Sequence, residues 1–156
     1  MSRTNDILVI GDVMLDQYVS GSTDRLSPEA PVPVVKIDSQ FSVLGGAANV
    51  ANNLAALGAN VSLLGVVGRD DNARIVNELL EAKGIANQLL DEDIFTTVKT
   101  RVISRNQQMV RVDREEVFSD EDAFVNHLSG VLSFFQGSAI IVSDYAKGVC
   151  SPGAMK

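Results

Sequence analysis

The chain has 156 residues, enough for one ordinary domain with a hydrophobic core or for part of a larger domain. Hydrophobic residues make up 46% of it and charged residues 21%, which is typical of a globular protein and not of a disordered one. The formal net charge is −7, so no basic excess is available to neutralise phosphates, which argues against a nucleic acid partner.

The chain has a single cysteine, Cys150, and a single histidine, His127, which limits the disulfides and metal sites that it can form. One cysteine cannot form an intrachain disulfide, and these two residues are too few for an ordinary zinc site. No apolar run has the length of a membrane span, and the amino terminus lacks the pattern of a cleavable signal peptide. We therefore expect a cytoplasmic protein without membrane partners or a bound metal, in which Cys150 and His127 are structural.

Apolar runs that predict buried strands alternate along the chain with amphipathic stretches that predict helices. The predicted strands are residues 7–11 (ILVIG), 60–68 and 138–144. The predicted helices are residues 46–58, 70–84 and 119–135, the last with Ser119 and Asp122 at capping-box spacing. This alternation predicts an α/β fold with a parallel sheet and helical cover.

Two segments, about 15–44 and 95–116, break this rhythm, because their apolar and polar residues alternate as in half-exposed strands. In the second segment the sequence RNQQ (105–108) is typical of a hairpin turn. The two segments predict a small antiparallel sheet outside the main one, which we call the flap.

Polar residues follow two of the predicted core strands where those strands end. Asp12 and Asp16 follow the first strand, and Asp144 and Lys147 follow the third. Because the carboxyl ends of parallel strands meet in the crevice where open α/β sheets bind ligands, these four are candidate ligand-binding residues. The alternatives are that Asp12 caps a turn, Asp16 is a solvated flap residue, and residues 144–147 form a charged surface turn.

A glycine pair, Gly45 and Gly46, lies where the flap leads into the first predicted helix, with Asn49 in the first turn. The spacing matches neither the dinucleotide fingerprint nor a phosphate-binding P-loop. Glycines let the backbone approach a ligand closely, and the amide of Asn49 can both donate to and accept from a polyol. The alternative is a turn glycine beside a helix-packing glycine.

A local basic cluster stands out in this acidic chain: Lys99, Arg101, Arg105, Arg111 and Arg114. On an alternating strand Arg101 and Arg105 would share a face. The planar fork of arginine suits a phosphate, which favours a phosphate clamp on the flap. The alternative is that these are edge-strand charges that discourage aggregation.

These motifs resemble the amino-terminal half of a sugar kinase of the ribokinase-like (PfkB) family. The resemblance covers essentially the whole chain and rests on GG-x-x-x-N (Gly45 to Asn49), GD-x-x-x-D (Gly11 to Asp16) and the flap. Within the family, residues 24–35 (DRLSPEAPVPVV) and 143–149 (SDYAKGV) resemble the D-glycero-β-D-manno-heptose 7-phosphate kinases of lipopolysaccharide core assembly. Such kinases are often fused to an adenylyltransferase domain.

The resemblance implies a ribokinase-like sheet with helices on both faces and a flap acting as a lid. It also implies transfer of the ATP γ-phosphoryl to the anomeric hydroxyl of a heptose 7-phosphate, with Mg²⁺ on the nucleotide. Asp12, Asp16 and Asn49 would hydrogen-bond the sugar hydroxyls near the glycine pair. Arg101 and Arg105, with Lys147 in reserve, would hold the substrate phosphate. Flap pairing implies a homodimer.

The family's second signature, a GAGD-type turn that carries the anion hole and the catalytic aspartate, has no match in this sequence. Residues 1–156 are therefore expected to be the amino-terminal part of one kinase domain, inactive by itself, with the nucleotide-binding half absent. Two alternatives stay open. The parent protein could phosphorylate another sugar, or this chain could be a non-catalytic module for sugar-phosphate binding or dimerisation.

Overall fold

The structure, a computed structural model, describes residues 5–156. Within that range the elements follow in the order β1 (Asp6–Gly11), β2 (Val13–Leu26), β3 (Pro33–Gly46), α1 (Ala47–Ala56), β4 (Asn60–Leu64), β5 (Val66–Gly68), α2 (Asp71–Ala82), β6 (Ala86–Asn87), β7 (Leu90–Glu92), β8 (Thr97–Ser104), β9 (Gln107–Arg114), α3 (Glu121–Phe134) and β10 (Ala139–Ser143). They form a core sheet, a flap and a small two-stranded sheet.

The core sheet has the strand order β10-β1-β4-β6, and all of its pairings are parallel. The central strand β1 places Val9 opposite Ile141 of β10 and Leu63 of β4. Long apolar runs form such strands because helices cover both faces and leave no polar side. The predicted parallel α/β architecture is confirmed.

Side chains of the core sheet alternate between two separate hydrophobic clusters. Val9 and Leu63 pack in the cluster that includes the buried residues of α1 and α2. Leu8 and Ile10 pack on the other face with Phe124 of α3. Each fully buried side chain of this size contributes roughly 1.5–3 kcal/mol to stability through burial. Helices therefore cover both faces, as predicted.

The flap is a four-stranded sheet with the order β3-β2-β8-β9. The predicted antiparallel arrangement needs one correction, because β2 and β8 pair in parallel, with Asp16 opposite Lys99. Strand β2 follows β1 after one residue, strand β8 follows β7, and the two strands run in the same direction. Alternation of apolar and polar residues reports a half-exposed strand but does not encode its direction.

The predicted turn between β8 and β9 is confirmed. Its two residues, Arg105 and Asn106, have φ angles of 50° and 61°. Two consecutive left-handed residues form the tight hairpin turn whose twist matches that of the flanking strands. Gln107 and Gln108 already belong to β9, so the predicted turn is two residues too long.

Two element boundaries differ from prediction. The run 60–68 divides at Gly65 into β4, in the core sheet, and β5, which pairs with β7. A Cβ at Gly65 would lie 2.5 Å from the Gly11 carbonyl oxygen, so only glycine permits this approach. Helix α3 is capped by Asp120, which accepts from the Ala123 N–H at 3.0 Å, and not by Ser119.

In the range 5–156, no helix combines the length and the apolar character needed to cross a membrane.

Candidate functional site

The glycine pair forms the corner between β3 and α1. Gly46 caps α1 with a φ of 55°, and the N–H of Ala47 donates to the carbonyl oxygen of Asp12 at 2.9 Å. A Cβ at Gly45 would lie 2.6 Å from Oδ2 of Asp16. The pair is therefore required by the protein's own backbone and carboxylates, before any ligand is considered.

Asp16 and Arg101 form a partly buried ion pair beside this corner. Nη1 of Arg101 donates to Oδ1 of Asp16 at 2.6 Å, with 24% and 20% of the two side chains exposed. The hydrogen bond to Asp16 raises the pKa of Arg101 above its usual value. The guanidinium also lies 5.4 Å from the ring centre of Tyr18, which stacks on Phe41 at 5.0 Å.

Asn49 lies on the first turn of α1, next to the glycine corner, and is exposed. The structure thus brings together Asp16, Gly45 and Arg101 from the predicted site, and Asn49 lies one helical turn beyond the glycine pair. A carboxylate, an amide and a guanidinium together can accept from and donate to hydroxyls, and the guanidinium can also pair with an anion.

Asp12 does not belong to the surface of this site. It is 1% exposed, and its carboxylate accepts from the N–H groups of Tyr145, Lys147 and Val149 at 2.6, 3.1 and 3.2 Å. The expectation that Asp12 contacts sugar hydroxyls stays a prediction, and in this structure backbone donors enclose the carboxylate. The sequence alternative, a turn-capping aspartate, describes it better.

Lys147 lies at the boundary between core and flap. Its Nζ is 2.8 Å from Oε2 of Glu115, the residue that follows β9, and Nζ of Lys99 lies 3.7 Å from the same oxygen. Lys99 also pairs with Asp113 at 3.4 Å. The hydrogen bond from Lys147 lowers the pKa of Glu115. Asp144, by contrast, is exposed and accepts from the N–H of Ala146 within its own loop at 2.7 Å.

Arg105 is separated from Arg101. It lies in the hairpin turn and pairs at 3.5 Å with Asp24, where 78% and 73% of the two side chains are exposed. The expectation that the two arginines share a strand face is wrong, because the turn begins at Arg105. Arg114 is also engaged elsewhere, with its guanidinium carbon 3.8 Å from the ring centre of Phe95.

The sequence analysis named Lys99 only as a member of the basic cluster and did not name its acidic partners, Asp113 and Glu115. The sequence offers one signal, because Asp113 and Glu115 are two acidic residues at alternating positions at and just after the end of β9. Finding the partners requires the register of the hairpin.

The carboxylates of this site do not fit a Mg²⁺ ion in the observed arrangement. The oxygens of Asp12 face backbone N–H donors, and Asp16 is paired with a guanidinium. Over residues 5–156, metal-ligating side chains do not gather in groups of three or more. The Mg²⁺ implied by the resemblance is therefore not assigned to these residues.

Residues 4–143 match the pfkB family of carbohydrate kinases. A protein of Bordetella bronchiseptica named D-beta-D-heptose 7-phosphate kinase is 47% identical over 146 residues, which cover 92% of this chain and 46% of that protein. The bifunctional protein HldE of Shewanella amazonensis is 50% identical over 145 residues, covering 91% and 30%. The chain thus spans between about a third and a half of the length of these relatives.

Solved structures share the fold at low sequence identity. Phosphofructokinase-2 of Escherichia coli superposes with a TM-score of 0.68 at 19% identity, covering 90% of this chain and 44% of that one. A carbohydrate kinase from Agrobacterium tumefaciens gives 0.66 at 20% identity, covering 88% and 44%. The chain has the ribokinase-like fold and belongs to the pfkB family of carbohydrate kinases.

Proposed function

We propose that this chain is the sugar-binding part of a kinase that transfers the ATP γ-phosphoryl to the anomeric hydroxyl of D-glycero-β-D-manno-heptose 7-phosphate. The product would enter ADP-heptose synthesis for the lipopolysaccharide core, in the cytoplasm. Identity of 47% to a protein named for this substrate supports the proposal. The observation that carries it is the pairing of Asp16 with Arg101, which offers a hydroxyl acceptor and a phosphate donor in one place.

For the sugar itself, we assign the hydroxyl contacts to Asp16 and Asn49, with the backbone of Gly45 and Gly46 allowing close approach. Asp144 keeps a role as an outer contact, because it is exposed in the loop that follows β10. Asp12 is not included, since backbone donors enclose its carboxylate.

For the substrate phosphate, we prefer Arg101 over Arg105. Arg101 is half-buried beside Asp16, whereas Arg105 is exposed in the hairpin turn. Charge-assisted hydrogen bonds are stronger where water is partly excluded. Lys147 remains the second candidate for binding the phosphate. We add Lys99 because the ammonium groups of both lysines lie near Glu115.

The transfer step needs a base, a nucleotide pocket and charge stabilisation around the moving phosphoryl group. We assign ATP, its Mg²⁺ and the catalytic aspartate to a part of the parent protein outside this chain. Residues of this chain bind and orient the acceptor sugar and exclude water from it. The chain alone is accordingly proposed to be inactive.

We also propose a homodimer formed through the flap. The flap exposes large apolar side chains: 54% of Phe41, 58% of Ile37, 50% of Val110 and 55% of Val112 are exposed. Its outer strands, β3 and β9, are open edges of the sheet. Exposed apolar area on an open sheet is typical of an interaction surface.

A coupled ADP-release assay on the full-length protein tests the proposed reaction. Heptose 7-phosphate, fructose and ribose are compared at equal concentration, with sugar-free protein as the background. We expect turnover with heptose 7-phosphate to exceed that with the unphosphorylated sugars. Preference for an unphosphorylated sugar would assign the parent protein to another kinase of the family.

A second candidate function, a non-catalytic sugar-phosphate-binding or dimerisation module, is favoured by the partly buried pair of Asp16 and Arg101 and by the exposed apolar side chains of the flap. Calorimetric titration of the 156-residue chain with heptose 7-phosphate tests it, with circular dichroism as the control for folding. A folded chain that releases no heat of binding rules out the sugar-binding module.

A further inference from the structure

Asp12 lies at the junction of three parts of the molecule. Its N–H donates to the carbonyl oxygen of Ser143 at 3.1 Å, and its own carbonyl oxygen accepts from Ala47 N–H at 2.9 Å. Its carboxylate receives the N–H groups at 145, 147 and 149. One residue therefore fixes the end of β1, the first residue of α1 and the loop after β10.

The loop that wraps around this carboxylate has an unfavourable backbone on its own. Ala146 has a φ of 57°, in the left-handed region that non-glycine residues seldom adopt, and Gly148 has a φ of 99°. The donors come from every second residue, so the chain curls with its N–H groups pointing inward. Such a conformation persists only where an acceptor holds it, and a buried carboxylate is a strong acceptor.

The position of this loop sets the position of Lys147. The backbone N–H of Lys147 is bound to Asp12, and its ammonium group reaches Glu115 at 2.8 Å on the flap side. Only 20% of the Lys147 side chain is exposed, so the contact occupies a confined space. The loop thereby connects the core, through Asp12, to the flap, through Glu115.

We propose that Asp12 is a positioning residue whose carboxylate holds the loop 143–149 so that Lys147 bridges the core to Glu115 at the base of the flap. Asp12 does not touch the sugar. It acts through Lys147, and its link to sugar phosphorylation rests on the function proposed above. The link to loop geometry stands independently of that function.

Amide hydrogen exchange, read residue by residue in the 156-residue chain, tests the positioning directly. In the unmodified chain we expect the amides of Tyr145, Lys147 and Val149 to exchange at least tenfold more slowly than that of Gly148. Asp12→Asn keeps the shape but replaces one of the two acceptor oxygens with an NH₂ donor, so either Val149 or the pair Tyr145 and Lys147 should lose its acceptor and its protection. Asp16→Asn, the matched control, should leave it intact.

Protection retained at all three amides in a folded Asp12→Asn chain overturns the proposal. If Asp12→Asn does not fold, amide exchange in the unmodified chain provides the test. Exchange at residues 145, 147 and 149 that is as rapid as at Gly148 overturns the proposal as well. Slow exchange at these three amides in the unmodified chain supports it.

The functional part is tested in the full-length protein with Asp12→Asn, Lys147→Met and the double variant. Because Asp12 acts through Lys147, the double variant should raise the KM for heptose 7-phosphate no more than about twofold beyond the more severe single variant. If the increase in KM of the double variant equals the product of the two single-variant increases, Asp12 does not act through Lys147. Absence of turnover in the unmodified full-length protein removes the proposed kinase function but leaves the exchange result valid.

Discussion

Arg101 donates to Asp16 across 2.6 Å, so the residue assigned to the phosphate already neutralises a residue assigned to the sugar hydroxyls. The pair is mostly buried, and water screens it less than it screens an exposed pair. A sugar phosphate that reaches this pair must compete with Asp16 for the guanidinium or share it. Binding of hydroxyl and phosphate should therefore be coupled.

Replacing Arg101 with methionine in the full-length protein should weaken binding of heptose 7-phosphate by roughly 10- to 100-fold. A hydrogen bond to a charged group contributes about 1.5–3 kcal/mol, and about 1.4 kcal/mol corresponds to a factor of ten. Arg105→Met is the matched control, because its side chain is 78% exposed in the turn, and it should change affinity by less than about threefold. Calorimetric titration measures both, and equal losses would contradict the assignment.

Gly45→Ala should weaken binding of the sugar about tenfold and lower the free energy of unfolding by about 1–3 kcal/mol. The added Cβ would lie 2.6 Å from Oδ2 of Asp16, so the carboxylate has to move. Gly130→Ala is the control, since its Cβ meets open space in α3. It should stabilise the chain by about 0.5–1 kcal/mol in urea unfolding. If Gly45→Ala changes neither the affinity for the sugar nor the free energy of unfolding, the carboxylate of Asp16 moves freely.

Asp70 should make the stability of the chain depend on acid pH. Burial raises the pKa of Asp70, but hydrogen bonds from Ala73 and Thr96 outweigh burial and hold the pKa below its usual value of 3.8. The ionised form is thus preferred in the folded chain, so the stabilisation is complete above the unfolded pKa and is lost as pH falls through the folded one.

Urea unfolding between pH 7 and pH 3 of the unmodified chain, Asp70→Asn and Asp70→Ala checks this dependence. Asparagine is as good a helix cap as aspartate, so Asp70→Asn can keep the cap to Ala73 while it removes the charge and the acceptor for the N–H of Thr96. Asp70→Ala should cost about 0.5–2 kcal/mol at pH 7. The difference between the unmodified chain and Asp70→Asn should shrink as pH falls below about 4. A difference that stays constant with pH would exclude the charge as its source.

Cys150 should react slowly with alkylating reagents. Burial first, and then the charges of Asp12 and Asp144, raise the pKa of its thiol from 9.0 to about 11. The thiolate is the reactive form, so alkylation by iodoacetamide at pH 8 should be about 100-fold slower in the folded chain than in urea. Mass spectrometry follows the modified fraction. Equal rates in buffer and urea would contradict the raised pKa.

The core of this fold follows from the sequence because its signals are local. Runs such as residues 7–11 are apolar on both faces, and only a doubly covered parallel strand requires that pattern. Helix α2 shows its apolar stripe and its cap, Asp70, within a single stretch. Each of these elements can therefore be predicted from its own residues, without knowing which elements pack beside it.

The flap contacts could not be read in the same way, because they depend on one irregularity. A regular hairpin closed at Arg105 and Asn106 would place Lys99 opposite Val112. The ladder shifts by one residue after Val102, so Lys99 lies opposite Asp113. A shift of one residue exchanges the two faces of a strand, and propensity does not reveal where the extra residue is accommodated.

The sequence could not decide the role of Asp12 for a related reason. Its place after a core strand is correct, but a carboxylate there can face a ligand or the backbone of the next loop. The donors at Tyr145 and Val149 lie 133 and 137 residues away along the chain. Such long-range partners, which decide between the two roles, leave no pattern near Asp12 itself.

The connection between β1 and β2 has a mechanical consequence. Asp12 alone separates Gly11, where β1 ends, from Val13, where β2 begins, so there is no slack linker between core and flap. Strand β2 has 14 residues and reaches roughly 45 Å at about 3.3 Å per residue. If β2 tilts by about 5° at its base, its far end therefore moves by roughly 4 Å. Asp12, at the base of this strand, also holds the loop 143–149. We therefore expect a tilt of the flap to be transmitted to that loop.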